Sequence, residues 1–222
     1  MNNTNLKFYK DLYDNLYKNY GYNSEDNDIH YRFFMGGIIK PCLEKKLIEF
    51  DSLLDIGCSF GAGLGYFEKL GKEIYGIDVS EVAINGARKK GFNCEIGSVT
   101  NLPYPDNFVD IIISTDVIEH VKPEDQEFAF KEMFRVSKKY IAHNISSTPE
   151  GNKYPLGPLH LTNWNQNRWI DFIDELKLDW EIIYTLTEKN WNDVKHKVYY
   201  FKPPPPFNDI IKHAAYLVLK KY

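Results

Sequence analysis

The sequence predicts an α/β domain: a doubly wound, mainly parallel sheet of seven strands, with helices on both faces and an antiparallel C-terminal strand. Three observations predict it. Short apolar runs alternate with helical stretches from about residue 51 to about residue 145, the order expected of βαβ units around a parallel sheet. The first run, Leu53 to Ile56, passes through the glycine-rich turn Gly57 to Gly63 into a helix. The second, Ile74-Tyr75-Gly76-Ile77-Asp78, ends on a carboxylate about 20 residues beyond that turn.

The helix opened by the turn runs through Leu70. Glu73 to Ile77 reads as the second strand, Ser80 to Lys90 as a helix with serine at its N-cap, and Asn93 to Ile96 as the third strand. The polar turn Leu102 to Asn107 leads into Phe108 to Ser114, a β-branched run suited to a strand buried on both faces. Pro123 opens a helix to about Val136, and Tyr140 to Ile145 supplies the fifth strand. Ser146 to Asn163 is rich in Pro, Gly and Ser and has no periodicity, and a loop of that length in a compact domain is usually functional. Asn165 to Leu178 reads as a helix, Trp180 to Leu186 with Lys195 to Phe201 as a hairpin, and Phe207 to Lys221, beyond four prolines, as a final helix. Ahead of the sheet, Leu6 to Tyr20 and Ile29 to Glu49 read as helices. The expected organisation is a helical lid segment over residues 1–50, a core over 51–206 and a C-terminal helix over 207–222 packed on the core. That last helix would gather Ile210, Ile211, Ala214, Ala215 and Val218 on one side, a face for its own domain, for the second copy of a homodimer or for a membrane surface.

The chain of 222 residues, 43% apolar and 26% charged, has the balance of one globular domain, and no apolar run is long enough to span a bilayer. Met1 to Leu6 lacks the basic start and apolar stretch of a secretory signal, and Cys42, Cys58 and Cys94 are too few for a disulfide scaffold, so the expected setting is the cytoplasm. A net charge of −4 argues against a nucleic-acid partner, since binding along phosphates is driven by Lys and Arg.

A glycine turn between a buried strand and a helix lets backbone approach a ligand closely, beside the free N–H groups of the helix start. Taken alone it suits a dinucleotide equally well. Asp78 narrows the reading, because a carboxylate ending the second strand can accept both hydroxyls of an adenosine ribose. Both acids also have a plain structural reading: Asp55 as a cap on the glycine turn and Asp78 as an N-cap of the next helix.

Residues 50 to 145 resemble the class I S-adenosylmethionine-dependent methyltransferases, in the small-molecule branch, whose fold is Rossmann-like. Leu54 to Gly61 matches the family's first motif, Ile77-Asp78-Val79-Ser80 the second, Leu102 to Asp110 the connection into strand four, and Asp116-Val117-Ile118-Glu119-His120-Val121 the fourth motif. The resemblance implies that S-adenosyl-L-methionine is the cofactor, held by the turn residues Gly57, Cys58, Ser59 and Gly61. It implies further that Asp55 and Gly57 face its methionine portion, Asp78 its ribose, Val79, Ser98 and Val99 its adenine, and Thr115 its sulfonium. Arg32 is a candidate partner for its carboxylate. Two positions depart from the family pattern: Ser59 replaces a glycine, and Ser98 an acid.

The methyl group of a sulfonium is already activated, so the protein need only align the acceptor and keep water out. If the acceptor is a hydroxyl its proton must leave, and Glu119, His120 and His160 are the candidate catalytic residues. The expected reaction is O-methylation of a small metabolite or carbohydrate unit; ribose 2′-O-methylation at an RNA end and a non-catalytic scaffold are the alternatives. Asp116, Glu119 and His120 stand at i, i+3 and i+4, on one side of the segment if it is helical. This spacing resembles the metal-binding motif of O-methyltransferases of quinone biosynthesis and of small-RNA ribose methyltransferases, in which His160 has a counterpart. It makes Asp116, Glu119, His120 and His160 candidate ligands for Mg2+, a reading ranked below metal-free transfer. His143 reads as structural, and Cys58 as a small packing residue.

Overall fold

A computed structural model describes residues 3–20, 38–147, 158–187 and 214–222. Helix α1 spans Asn3–Asn19 and α2 Lys40–Glu44. The sheet follows: β1 Ser52–Ile56, α3 Ala62–Glu68, β2 Glu73–Asp78, α4 Glu81–Lys89, β3 Cys94–Ile96 and β4 Val109–Thr115. After two short 3-10 turns, Ile118–His120 and Pro123–Asp125, come α5 Gln126–Val136, β5 Ser137–Ser146, α6 Gln166–Glu175, β6 Trp180–Thr185 and β7 Ala214–Lys221.

The seven strands form one sheet in the order β3-β2-β1-β4-β5-β7-β6. All run parallel except β7, which pairs antiparallel with both β5 and β6. The expected doubly wound architecture is therefore present. Every residue of β1 and β4 is buried, which is why those segments read as continuous apolar runs. The pleat sends alternate side chains to opposite faces: Leu54, Ile56 and Ile112 join Phe130, Met133, Trp169 and Ile173 of α5 and α6, whereas Leu53, Ile111 and Ile113 join Ile38, Ile39, Cys42 and Phe67. Ser80 caps α4 by accepting from the Ala83 amide, and Asn165 caps α6 by accepting from that of Arg168.

The C-terminus differs from expectation. Residues 214–221 are strand β7, not part of a helix packed outside the core. Ala214 to Leu219 is an unbroken apolar run, and the slot between β5 and β6 buries it on both faces, so the sheet prevails over the helical spacing of Ala214, Ala215 and Val218. Ala215 and Val218 are thus core, and offer no face to a second copy or a membrane. Lys221 donates to Asn107 Oδ1 at 2.9 Å, Phe134 O at 3.0 Å and Ser137 O at 3.1 Å. The partner of β6 is accordingly β7, and the hairpin arm expected at 195–201 lies outside the described residues, as do 207–213. Of the helix expected over Ile29 to Glu49, the described part is helical at Lys40–Glu44 and closes at Lys46, whose φ is +54°. No helix among the described residues is long and apolar enough to cross a membrane.

His143 sits in the middle of β5, fully buried, with Nδ1 2.7 Å from Ser114 Oγ. Burial pushes its pKa down to about 3. The folded value lies below the ordinary 6.5, so between the two the unfolded chain binds a proton that the folded chain refuses. The stability this group contributes is complete above 6.5 and is lost as the pH falls toward 3. Urea midpoints at pH 7 and pH 5 are expected to differ less in His143→Gln than in the parent; equal differences would remove His143 as the cause.

Candidate active site

The strand order runs outward from β1 to β3 on one side and from β4 to β5 on the other. An open parallel sheet takes its ligands in the crevice beyond the carboxyl ends of the strands at such a reversal. Three chain segments form the crevice here: those following β1, β2 and β4.

After β1 the chain turns tightly. The amides of Gly57 and Cys58 both donate to Ile77 O, at 2.8 and 3.1 Å, and the Gly61 amide donates to Cys58 O at 2.9 Å. Gly57 has φ +73°, and a Cβ added there would lie 2.3 Å from Val117 Cγ2. Gly61, at φ +82° just ahead of α3, would press a Cβ against Phe92 at 2.4 Å. Ser59 adopts φ +50°, a left-handed conformation that costs a non-glycine roughly 1–2 kcal/mol, and its amide donates to Asp78 Oδ2 at 3.0 Å. Asp55 is buried below the turn, in register with Gly76 and Ile113. Cys58 is wholly buried; its hydrogen bond with the Cys94 thiol, then burial, holds its own thiol well above the usual range, so it packs and does not attack.

After β2, Asp78 accepts from the Ser59 amide on one oxygen and from the Ser80 amide, at 2.9 Å, on the other. Burial nevertheless raises its pKa to about 6. The Val79 amide also bonds it, so of about four lone-pair sites on a carboxylate one remains for a ribose hydroxyl. Val79 beside it is half-buried. Beyond β3, Ser98 Oγ lies 2.8 Å from Thr100 Oγ1, and Val99 belongs to the buried cluster of Ile77 and Leu102.

After β4 the chain does not continue as a helix carrying three ligands. Thr115 ends the strand, with an Oγ1 that is buried and makes no hydrogen bond among the described residues. Asp116 takes φ +53°, and only Ile118–His120 form a 3-10 turn. The i, i+3, i+4 grouping is therefore corrected: Glu119, His120 and His160 place one ligand atom each within 4.8 Å of one another, and Asp116 lies outside that group but near enough for its charge to act on His120. Glu119 Oε1 accepts from the Ser146 amide at 2.8 Å, and its carbonyl accepts from the Leu161 and Thr162 amides at 2.8 and 2.9 Å. His120 Nδ1 is 3.0 Å from Leu159 O, and its ring stands edge-on to that of His160 at a centroid distance of 4.8 Å. Burial, then the neighbouring His160, pushes the His120 pKa down to about 4.

Helix α1 crosses all three segments. Tyr17 packs edge-on against Phe60 at 5.2 Å and Tyr13 against His120 at 6.0 Å, while Tyr9 Oη accepts from the Lys122 amide at 3.0 Å. Asp14 accepts from Ser80 Oγ at 2.5 Å and from the Val82 amide at 3.1 Å. Asp14 was not foreseen, and nothing local in the sequence marks it. Gln126 was also missed. Its Nε2 donates to Ile118 O at 2.7 Å, Val121 O at 3.0 Å and Thr162 Oγ1 at 3.3 Å, binding the Glu119–His120 turn to the loop of His160. A signal for it existed, since Gln126 heads the apolar stripe Ala129, Phe130, Met133 as its one polar member. Arg32 lies outside the described residues.

The residues fit S-adenosylmethionine: a turn with no room for a Cβ, a ribose-sized acid at the end of β2, and an unsatisfied hydroxyl at the end of β4. Comparison with known proteins agrees. Residues 54–140 match the family model described as a methyltransferase domain. Phosphoethanolamine N-methyltransferase 1 of Zea mays is 36% identical over 90 residues, covering 37% of this chain and 18% of that protein. A probable S-adenosylmethionine-dependent methyltransferase of Mycolicibacterium smegmatis is 29% identical over 121 residues, covering 51% of this chain and 46% of that one. The matches thus span less than half the length of these curated relatives. Among solved structures, magnesium protoporphyrin IX methyltransferase of Synechocystis with bound SAH superposes with a TM-score of 0.64 at 13% identity, over 96% of this chain and all of that one. A SAM-dependent methyltransferase of Aquifex aeolicus gives 0.57 at 18% identity, over 86% and 93%. At these identities the likeness establishes the fold.

Proposed function

We propose that the chain, whose residues 54–140 match a methyltransferase-domain family model, is a class I S-adenosylmethionine-dependent methyltransferase that transfers a methyl group to an oxygen of a small metabolite or sugar unit. Bound S-adenosylmethionine supplies a methyl group already activated by its sulfonium. The protein's share is alignment of the acceptor, exclusion of water and care of one proton.

The observation that supports oxygen is the histidine pair beyond β4. His120 Nδ1–H, donating to Leu159 O, fixes a tautomer whose Nε2 keeps its lone pair, and the His160 ring stands next to it. Such a lone pair can accept the hydrogen of an acceptor hydroxyl, which has a proton to lose as the new bond forms. The crossing α1, with Tyr13 against His120, would narrow the entrance and shed water. A nitrogen acceptor is the second reading, favoured by relatives named as N-methyltransferases of phosphoethanolamine and norajmaline.

The test incubates the protein with methyl-13C S-adenosylmethionine and a panel of hydroxyl and amine compounds, phosphoethanolamine included, with products read by NMR. Label in a methyl ether or ester is expected. Label confined to nitrogen would overturn the oxygen reading, and calorimetry showing no binding of S-adenosylhomocysteine at millimolar concentration would overturn methyl transfer itself.

A further inference from the structure

We propose that Asn144 binds the methyl acceptor through a second hydroxyl of the same molecule, so that the acceptor is a polyol or sugar rather than a compound with a single hydroxyl. The inference deepens the oxygen reading and rests on it. Asn144 lies near the carboxyl end of β5, level with Thr115 on β4 and with Tyr216 on β7. Residues level with one another across a sheet share a face, so the three form one row. The row behind it on that face, Ile113, Ala142 and Val218, is apolar and packs in the cluster of Ile38 and Ile39. The row of Asn144 lies one step nearer the carboxyl ends of β4 and β5, beyond which an open parallel sheet takes its ligands.

Asn144 is only 4% exposed, yet its buried Oδ1 makes no hydrogen bond among the described residues. Such an atom costs free energy in the folded chain, and buried polar atoms of native proteins nearly always have partners. The main chain of Asn144 is by contrast engaged, its carbonyl accepting from the Asp116 amide at 2.9 Å, so the strand would form as well with an apolar side chain. A bond completed by a bound molecule accounts for the carboxamide.

Position and chemistry identify the group bound. On the methyl-transfer reading Thr115 borders the sulfonium, and Asn144 stands one strand farther out, about 4.8 Å away. Two residues on, the Ser146 amide holds Glu119 Oε1 at 2.8 Å, and His120 follows Glu119 directly. The hydroxyl that loses its proton is the one facing His120; Asn144 takes another. A carboxamide carries no charge and would not repay stripping water from a phosphate, carboxylate or ammonium, whereas a hydroxyl can donate to Oδ1 at little cost. One molecule reaching both points presents at least two hydroxyls.

The test uses Asn144→Leu, which keeps the branched shape, and Asn144→Val, smaller and suited to a strand. Without ligand, at least one of the two should match or exceed the parent's urea midpoint, because carbon replaces a buried atom that had no partner. Affinity for S-adenosylhomocysteine, by calorimetry, should stay within threefold of the parent. NMR titration of protein loaded with S-adenosylhomocysteine then compares myo-inositol and D-glucose with cyclohexanol. One or both polyhydroxyl probes should bind the parent at least tenfold more tightly than cyclohexanol and lose that advantage in the variants. The proposal is overturned if both variants lower the midpoint, since the carboxamide would then hold the sheet, or if both lose S-adenosylhomocysteine, which would place Asn144 on the cofactor. It is equally overturned if neither probe exceeds cyclohexanol, or if the advantage survives both substitutions. Methyl-13C transferred to a compound with one hydroxyl, undiminished in Asn144→Leu, would overturn it while leaving the oxygen reading intact. Failure of the parent itself to bind S-adenosylhomocysteine would instead take down methyl transfer, and this proposal with it.

Discussion

Asp78→Ala is expected to weaken S-adenosylhomocysteine binding by about 1–3 kcal/mol, roughly 5- to 150-fold in Kd, the scale of hydrogen bonds lost from a charged acceptor. Asp78 accepts from the amides flanking the crevice, Ser59 on one side and Ser80 on the other, so its carboxylate is fixed before a ribose arrives. Burial has raised its pKa to about 6. For an acid the linkage runs opposite to that of His143: protons stay on the folded form between 3.8 and about 6, so its contribution to stability falls as the pH rises through that window. At neutral pH the ligand-free protein therefore carries a partly desolvated charge, and a hydroxyl donor from the cofactor would relieve it. The same titration gives a second readout, since a protonated Asp78 loses acceptor sites. Affinity in the parent should fall as the pH drops below about 6, whereas Asp78→Asn should bind weakly at every pH. Calorimetry across pH 5 to 8 checks both, and parallel curves for parent and variant would sink the assignment.

The parts of the site legible in the sequence are those set by local chemistry. A turn requiring positive φ takes glycine, so Gly57 and Gly61 stood out, and a strand-ending acid at fixed distance stood out with them. Ser59 was noted as an irregular position; the structure adds that it pays for a left-handed backbone and gains a bond from its amide to Asp78. The Asp116 grouping failed because the side-chain spacing presupposed a helix, whereas Asp116 is itself left-handed and only Ile118–His120 beyond it form a turn.

What remained hidden depends on contacts distant along the chain. Asp14 reaches Ser80 across 66 residues, and Leu159 fixes the His120 ring across 39. Periodicity and motif spacing carry no information about such pairs. The C-terminal strand shows the same limit for the fold: Ala214 to Leu219 supports either period, and the choice is made by the slot between β5 and β6, which exists only once the sheet is assembled.

Gly57→Ala should destabilise the protein by about 2–5 kcal/mol, a large part of the 5–15 kcal/mol by which a domain is normally stable. Two costs combine. The left-handed backbone at φ +73° disfavours any side chain by roughly 1–2 kcal/mol. The new methyl would also meet Val117 at 2.3 Å, and a β-branched side chain has little rotameric freedom to withdraw, so overpacking adds about 1–3 kcal/mol. Gly71 allows the two to be separated, because it has φ +66° and nothing within 4 Å of its would-be Cβ. Gly71→Ala should show the backbone cost alone, a shift in the urea midpoint corresponding to about 1–2 kcal/mol. Adding Val117→Ala to Gly57→Ala should recover part of the loss, since the cavity it leaves is where the methyl goes, and the remainder should approach the Gly71→Ala value. A Gly57→Ala protein no less stable than Gly71→Ala would mean that the turn after β1 yields freely, and that the close approach of Gly57 to Val117 does not shape the crevice.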